Sequence, residues 1–559
     1  MEYLSRIAWD EARLLFILMP HSVDNYKKKM NYKREYMKRI ILGLSMTLIM
    51  SLCMAQTPLI LVGSDGLPEP EQKQHRQMIM DHPVVLKDRK LQPWTSYDTI
   101  LHYTMNFIKY CPTTDTPNGK LPYYLVTSVF KSDGTIRKNQ NNQGGNAYFA
   151  MKTFKRYYAY TGDRDALIPV TRLIEQIAKY HTPSDFAWPG IPRTQDDTPD
   201  GIYDDEKGEP DKACMVAIAY IEYARFTGEK RYFDLAETIT KTLLKHIIAG
   251  SERESPLPFR INMRTGVVID PYCSDMIMAV NLFDELLASN TTLDRQELQQ
   301  KRQMVIDWIL KYPMENNYWS AYFEDVASNS YSNINQQNPM ETARYLIDYP
   351  GTDPLYKQHI LKLITFVKYR FGNISRYGAT SIMEQDACFA EMSSHTSRYA
   401  SVVAKWFGMT GDEKMREEAR ASFALASYSA YNRYSKDSLA INYTGIGYES
   451  PWLSDSYFDY MSHYMEGIGE LPEMIPEGTN HLFYSSSMIT NISYLPSKIA
   501  YTAYDNNGTE HLKLTFTPIV YANGKPLSKS KWKFGKYRGV DNILTINRKG
   551  VCSIEVYAK

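Results

Sequence analysis

Three segments of the chain repeat one arrangement: an apolar stretch of helical period, a Thr-Gly-acidic stop, then an amphipathic stretch. They occupy residues 157–169, 223–236 and 405–419; weaker copies stand at 288–294, 349–355 and, with least of the pattern, 111–115. Glycine ends a helix by taking a left-handed backbone and Asp or Thr caps the next, so each stop predicts a tight helix-to-helix turn. After the second stop Leu235, Ile239, Leu243 and Leu244 keep helical spacing, and Phe423, Leu425 and Ala426 do so less regularly after the third. The stops recur about every 60 residues, which suits paired helices of ordinary length. Six such hairpins would close a ring.

The links between hairpins are long and carry Pro, Gly, Asn, Trp and Tyr: residues 186–211, 255–274, 312–340, 373–386 and 435–456. Because the chain reverses at every turn, the tight turns fall on one rim and the long links on the other. Long loops in a compact domain usually carry function, which places the site at the long-loop rim. From residue 480 the period changes to two: residues 511–517 alternate, 506–508 and 523–524 are hairpin-turn sequences, and 542–546 with 552–557 read as a closing hairpin. The expected organisation is mainly α: a helical ring over 96–479 behind an N-terminal segment, 56–95, with a small antiparallel β-domain over 480–559.

Composition narrows the function classes. With hydrophobic residues at 43% and charged residues at 23%, the chain is globular rather than disordered. A formal net charge of +1 offers no general attraction to nucleic acid or anionic lipid, so neither is an expected partner. The 44 Tyr and 8 Trp supply rings that can pack a core or stack on flat ligand faces. Near the start, Met37-Lys-Arg precedes an apolar run, Ile40 to Leu52, and then Cys53-Met-Ala55. That order fits a signal peptide over 37–55, with 1–36 as an upstream extension and no stable membrane insertion. The expectation is export to the periplasm or beyond; a lipid anchor at Cys53 is the rival reading, set back by the bulky Leu52. Cys111, Cys214, Cys273, Cys388 and Cys552 are odd in number and widely spaced, which indicates neither a disulfide framework nor a zinc ribbon.

A ring of six hairpins with long loops on one rim resembles the six-hairpin glycosidase superfamily, the (α/α)6 toroids. The local likeness is to unsaturated glucuronyl hydrolases, in which an Asp at the start of an inner helix opens an Asp-x-x-x-Met-Ala run that ends in a Thr-Gly-Asp turn. Asp211-Lys-Ala-Cys-Met-Val-Ala, running to Thr227-Gly-Glu229, matches that position, and Asp275-Met-Ile-Met-Ala-Val-Asn is a second similar entry. The resemblance covers about 380 residues of repeat grammar. It implies a glycoside hydrolase acting on a polysaccharide-derived oligosaccharide, uronate-bearing ones included, with no cofactor.

Glycosidic cleavage needs one protonated carboxyl and a second carboxylate. Asp211 is the leading candidate, since Met215, Val216 and Ile218 would raise an inward carboxyl's pKa; a helix cap explains the same residue. Asp275 follows the same logic, with Ser274 an equal cap. Residues 381–391 read as a third helix entry, with Glu384 and Asp386 at its start and Glu391 inside, one turn before His395. A Glu/His pair at that spacing suits proton transfer, or is a plain hydrogen bond within a bundle. In the loop 186–205, Trp188 and Tyr203 could stack on sugar and Arg193 could grip a carboxylate, although Pro-ordered surface structure or calcium binding would also account for it. Arg260 and Arg264 are further anion clamps, and Tyr448 and Trp452 belong to another aromatic-acid link. Cys214, Cys273 and Cys388 each follow an acidic helix entry and could make a zinc set; buried thiols lining inner helices explain them as well, and no metal is expected. The alternatives to hydrolysis are a lyase on the same ring using His395 or a loop Tyr as base, and a glycan-binding protein without chemistry.

Overall fold

The computed structural model describes residues 83–559 except 111–112, 117–118, 123–128, 131–135, 139–142, 194–205, 322–331, 376, 387, 432–440 and 443–453. Twelve longer helices account for the first part: α1 (Tyr97–Tyr110), α2 (Gln143–Thr161), α3 (Leu167–Ile177), α4 (Pro210–Thr227), α5 (Lys230–His246), α6 (Ile277–Leu287), α7 (Arg295–Lys311), α8 (Gln337–Asp348), α9 (Tyr356–Phe371), α10 (Ser393–Thr410), α11 (Glu413–Ala426) and α12 (Ser454–Gly467). The even-numbered helices pack side by side in the order α2, α4, α6, α8, α10, α12 and back to α2. That closed circuit is an (α/α)6 toroid. Outside it, α3, α5, α7, α9 and α11 each cover the inner helix that precedes them, and α1, the first of the chain, packs against α12.

The sequence explains which helix is inside. In α4 every position from Pro210 to Tyr223 is buried, so the helix needs no polar face, whereas α5 buries only the stripe that includes Tyr232, Ala236, Ile239, Leu243 and Leu244. Pro210 starts α4 where no amide donor is needed, and Gly228 ends it in the left-handed region at φ 80°. Gly162 and Gly411, the other two strong stops, stand at φ 77° and 74°. The threonine before each glycine closes the helix it ends. Thr161, Thr227 and Thr410 donate to the carbonyls of Tyr157, Tyr223 and Trp406 at 2.7–2.8 Å and accept the amide two residues on. Asp163, Asp294 and Asp412 each cap the next helical turn, whereas Glu229 makes no such bond.

Two expectations about the ring need correction. The copy expected at 111–115 gives no helix start in its described part: Thr113–Thr116 is a strand paired with Gly119–Pro122. The sixth hairpin is made instead by the first and last helices of the ring, whose contact no local pattern announces. Residues 381–391 are not a helix start but a hairpin. On the long-loop rim, β1 (Lys207–Gly208), β2 (Arg260–Asn262) and β3 (Val268–Asp270) form one small antiparallel sheet, and β4 (Gly372–Ile374), β5 (Thr380–Gln385) and β6 (Cys388–Met392) form another. Pairing of 380–385 with both neighbouring strands, which no local pattern announces, overrides the helical reading.

Nine strands complete the chain. A four-stranded antiparallel sheet runs in the order β7 (His481–Ser485), β10 (Gly508–Lys513), β14 (Val540–Arg548), β13 (Trp532–Tyr537). A five-stranded one runs β8 (Ile489–Leu495), β9 (Lys498–Ala503), β15 (Ser553–Ala558), β11 (Pro518–Ala522), β12 (Lys525–Pro526). Asn523 and Gly524, at φ 48° and 73°, make the expected tight turn between β11 and β12. Residues 506–508 and 549–552 instead carry the chain from one sheet to the other, so neither is a hairpin. The β-domain shares the ring's hydrophobic core: Ile489, Ile492, Leu512 and Val556 belong to the same buried cluster as Phe154 and Tyr464.

Candidate active site

All six inner helices enter the ring from the long-loop rim, and each places polar groups near that end or along the interior. At the mouth stand Asp211 on α4, Asp275 just before α6, Gln337 on α8 and His395 on α10; every one is buried. Neither aspartate caps its helix: the N-cap positions are Glu209 and Met276, and no side-chain cap bond forms. Asp211 accepts the Lys212 amide at 2.8 Å, and its other oxygen lies 3.5 Å from the Lys212 ammonium and 3.7 Å from the Cys273 thiol. Asp275 accepts from the Gln337 side-chain amide at 3.2 Å through Oδ2, while its buried Oδ1 has no hydrogen-bond partner among the described residues. Burial first, and then the Asp211 charge, push the Asp275 carboxyl up to about 7. Two carboxylates taken out of water together cannot both ionise cheaply, so one keeps its proton.

Cys214 and Cys273 flank this pair. Burial and then the charges of Asp211 and Asp275 push both thiols well up, which keeps them protonated and inert. Among the described residues no three metal-ligating side chains converge, and the Cys388 side chain lies outside them.

His395 is at the mouth too, but its carboxylate partner differs from the expected one. Glu391 lies on β6 and bonds Asn373 and Ser381 at 2.6 and 2.5 Å. The carboxylate near His395 belongs to Glu384 on β5, 3.7 Å from Nε2. The His395 Nδ1 lies 2.8 Å from both the Arg398 guanidinium and the Gln336 side-chain amide. Burial and Arg398 hold this imidazole neutral, well below its ordinary pKa. Asp386 turns away to a two-pronged pair with Arg370 at 3.1 and 2.5 Å, which ties the rim hairpin to α9.

One to two turns deeper, Lys152 on α2, Glu341 and Arg344 on α8, Arg398 on α10 and His463 on α12 form a charged layer. Glu341 accepts from Arg344 at 3.1 Å and faces Arg398 at 3.3 Å. Burial alone would raise this carboxyl, but Arg344, Lys152 and Arg398 override it and bring it down to about 2. Arg344 also reaches Glu466 and bonds His463 at 3.1 Å. Lys152 donates to the Tyr148 hydroxyl at 2.9 Å. Sequence reading passed over this layer because each member sits in an apolar or serine-rich helical run. The signal that was there is charge inside a run with no polar face, as at Glu341-Thr-Ala-Arg344 and His395-Thr-Ser-Arg398.

The loop candidates scatter. Trp188 is buried and stacked on His246, ring centroids 3.9 Å apart. Arg193, on the same loop, is half-buried. Arg264 is exposed, pairs with Glu206 at 2.5 Å and lies over the Phe186 ring; Arg260 binds Glu209 at 2.9 Å. Tyr203, Tyr448 and Trp452 lie outside the described residues.

No protein-family model and no curated protein matches the chain. Solved structures do align with it. A sugar epimerase from a ruminal bacterium gives a TM-score of 0.49 at 11% identity, over 66% of this chain and 97% of that one. A D-mannose isomerase gives 0.49 at 13%, over 67% and 98%. An unsaturated glucuronyl hydrolase specific for heparin gives 0.44 at 11%, over 68% and 98%. Identity this low transfers no residue roles, so the function has to be argued from the site itself.

Proposed function

We propose that the chain is a glycoside hydrolase acting on a polysaccharide-derived oligosaccharide, with Asp275 donating a proton to the leaving oxygen and Asp211 serving as the second carboxylate. The observation that carries this reading is a carboxyl that keeps its proton to about pH 7 beside another carboxylate on the adjoining inner helix. Glycosidic cleavage requires that division of labour, one acid and one base or nucleophile held apart by their environments. Gln337 fixes one oxygen of Asp275 and leaves Oδ1 for the substrate. Lys212 and Cys273 hold Asp211 in place. The two arginines of the layer below support an acidic sugar, since Arg344 and Arg398 flank the Glu341 carboxylate there and a guanidinium fork suits another carboxylate. The segment 37–55 adds export to this reading.

Assayed on oligosaccharides with and without uronate, Asp275→Asn and Asp211→Asn should each lower kcat/KM by about 10²–10⁴-fold on the best substrate. Wild-type rates in Asp275→Asn would reject the assignment.

A second reading, a lyase, is favoured by Lys152. Burial lowers its pKa, Glu341 pulls it back and Arg156 and Arg344 push it down again, to about 7, so a neutral amine is available as a base. His395 suits that task less, because burial and the Arg398 charge hold its imidazole well below the ordinary pKa and make it a weak base. Lyase products carry a conjugated double bond, and ultraviolet absorbance of the products separates the two reactions.

A further inference from the structure

A cleft of about 710 Å³ opens at the far end of the ring, where the tight-turn rim meets the C-terminal β-domain. It is walled by the final turns of α2, α4 and α6, the start of α5, and the segment from β7 into β8. Its volume falls within the ~300–1,000 Å³ of ordinary small-molecule sites. Along α4, Glu222 in this cleft is about 16 Å from Asp211 at the mouth, so the two places are separate.

The lining has a definite chemistry. Its cations are already matched: Lys155 with Glu222, Arg156 with Glu466, Arg225 with Glu285 and Lys230 with Asp234. An anion would therefore find no spare positive charge. Tyr484, packed on His511, and Tyr504, with the Arg225 guanidinium on one face, are still 38% and 51% exposed, an unusual placement for large rings inside a concave wall. Of three successive serines on the wall, Ser485 and Ser487 donate to the Ser487 carbonyl and to Asp505, and Ser486, which accepts the Thr509 amide, keeps its hydroxyl hydrogen for a ligand. Glu222 is only 5% exposed, and its Oε2 has no hydrogen-bond partner among the described residues. A buried acceptor left so needs a donor to offset its desolvation. Flat aromatic faces, a hydroxyl, an acceptor and no net field together describe a ligand that is uncharged, rich in O–H donors and flat on one side.

We propose that this cleft binds a neutral oligosaccharide segment, so that the protein holds saccharide at both ends of the ring. The role of such a site, to retain a polymer near the mouth, rests on the hydrolase reading; its binding chemistry does not. The test is calorimetric titration of the full chain carrying Asp211→Asn/Asp275→Asn with cellotetraose, mannotetraose and xylotetraose. At least one should bind saturably. Adding Tyr484→Ala/Tyr504→Ala should weaken that binding by about tenfold or more. Ala288→Trp, at an exposed position on the wall, should block it without touching the rings. The Tyr pair alone should leave turnover of short substrates unchanged. No saturable heat with any of the three sugars, or equal binding in the Tyr and Ala288→Trp variants, overturns the proposal. Titration reads binding and the Asp275→Asn assay reads turnover, so each reading can fail alone.

Discussion

Asp275 and Lys152 tie the chemistry of single residues to a measurable pH dependence. The Asp275 carboxyl titrates at about 7 in the folded protein against an ordinary 3.8, so between those values unfolding releases a proton and stability falls as pH rises. Lys152 works in the next window. Folded it titrates at about 7 against 10.5, so the unfolded chain takes up a proton between them and stability climbs again toward 10.5. These two groups together should produce a stability minimum near pH 7, read as denaturant midpoints from pH 4 to 10. Asp275→Asn should flatten the acid-side slope and Lys152→Met the alkaline one; slopes unmoved by both variants would refute the assignment. Asp211 and Asp275 were legible because each is an acid opening an apolar run. The partner of His395 was not, because Glu384 reaches it through a strand pairing, and spacing along one helix pointed to Glu391.

At the scale of elements, the Thr-Gly-acidic stop is a small machine with three separable parts. Its threonine ends one helix, its glycine takes the left-handed turn, and its acid, when it is Asp, starts the next. A Cβ at Gly228 or Gly411 would meet nothing within 4 Å, so Gly228→Ala and Gly411→Ala should each cost about 1–2 kcal/mol, from backbone conformation alone. At Gly162 the Tyr494 ring would stand 3.3 Å from the new carbon, so Gly162→Ala should cost more than either. Thermal unfolding of the three variants checks the order. Helix identity was readable here because the turn chemistry is local. Rim strands escaped the same reading: residues 380–392 mix apolar and polar positions, and only pairing with β4 decides for strand.

The ring and the β-domain behave as one folded body. Tyr160 on α2 stacks on His481 at 3.7 Å, the Tyr494 hydroxyl donates to the Ala159 carbonyl at the same helix end, and His481 bonds Asp98 on α1 at 3.0 Å. A chain ended after residue 479 would lay bare these rings together with the apolar rim they cover. It is expected to aggregate or melt at markedly lower temperature, measured by light scattering and calorimetry; a monomeric, equally stable truncation would contradict the shared core.

By itself, the sequence determined the inside and outside of the helices, the tight turns, the change to strands near residue 480 and two buried acids at helix entries. All of these are local, set by side-chain period, turn chemistry and burial within about one element's length. Tertiary structure alone decided that the first helix completes the last hairpin, that Asp211 and Asp275 share one desolvated mouth, and that Lys152, Glu341, Arg344, Arg398 and His463 converge below it. Those outcomes join residues 60 to 360 positions apart, and a carboxyl's proton is held by the charge and burial of neighbours that the linear order never places beside it.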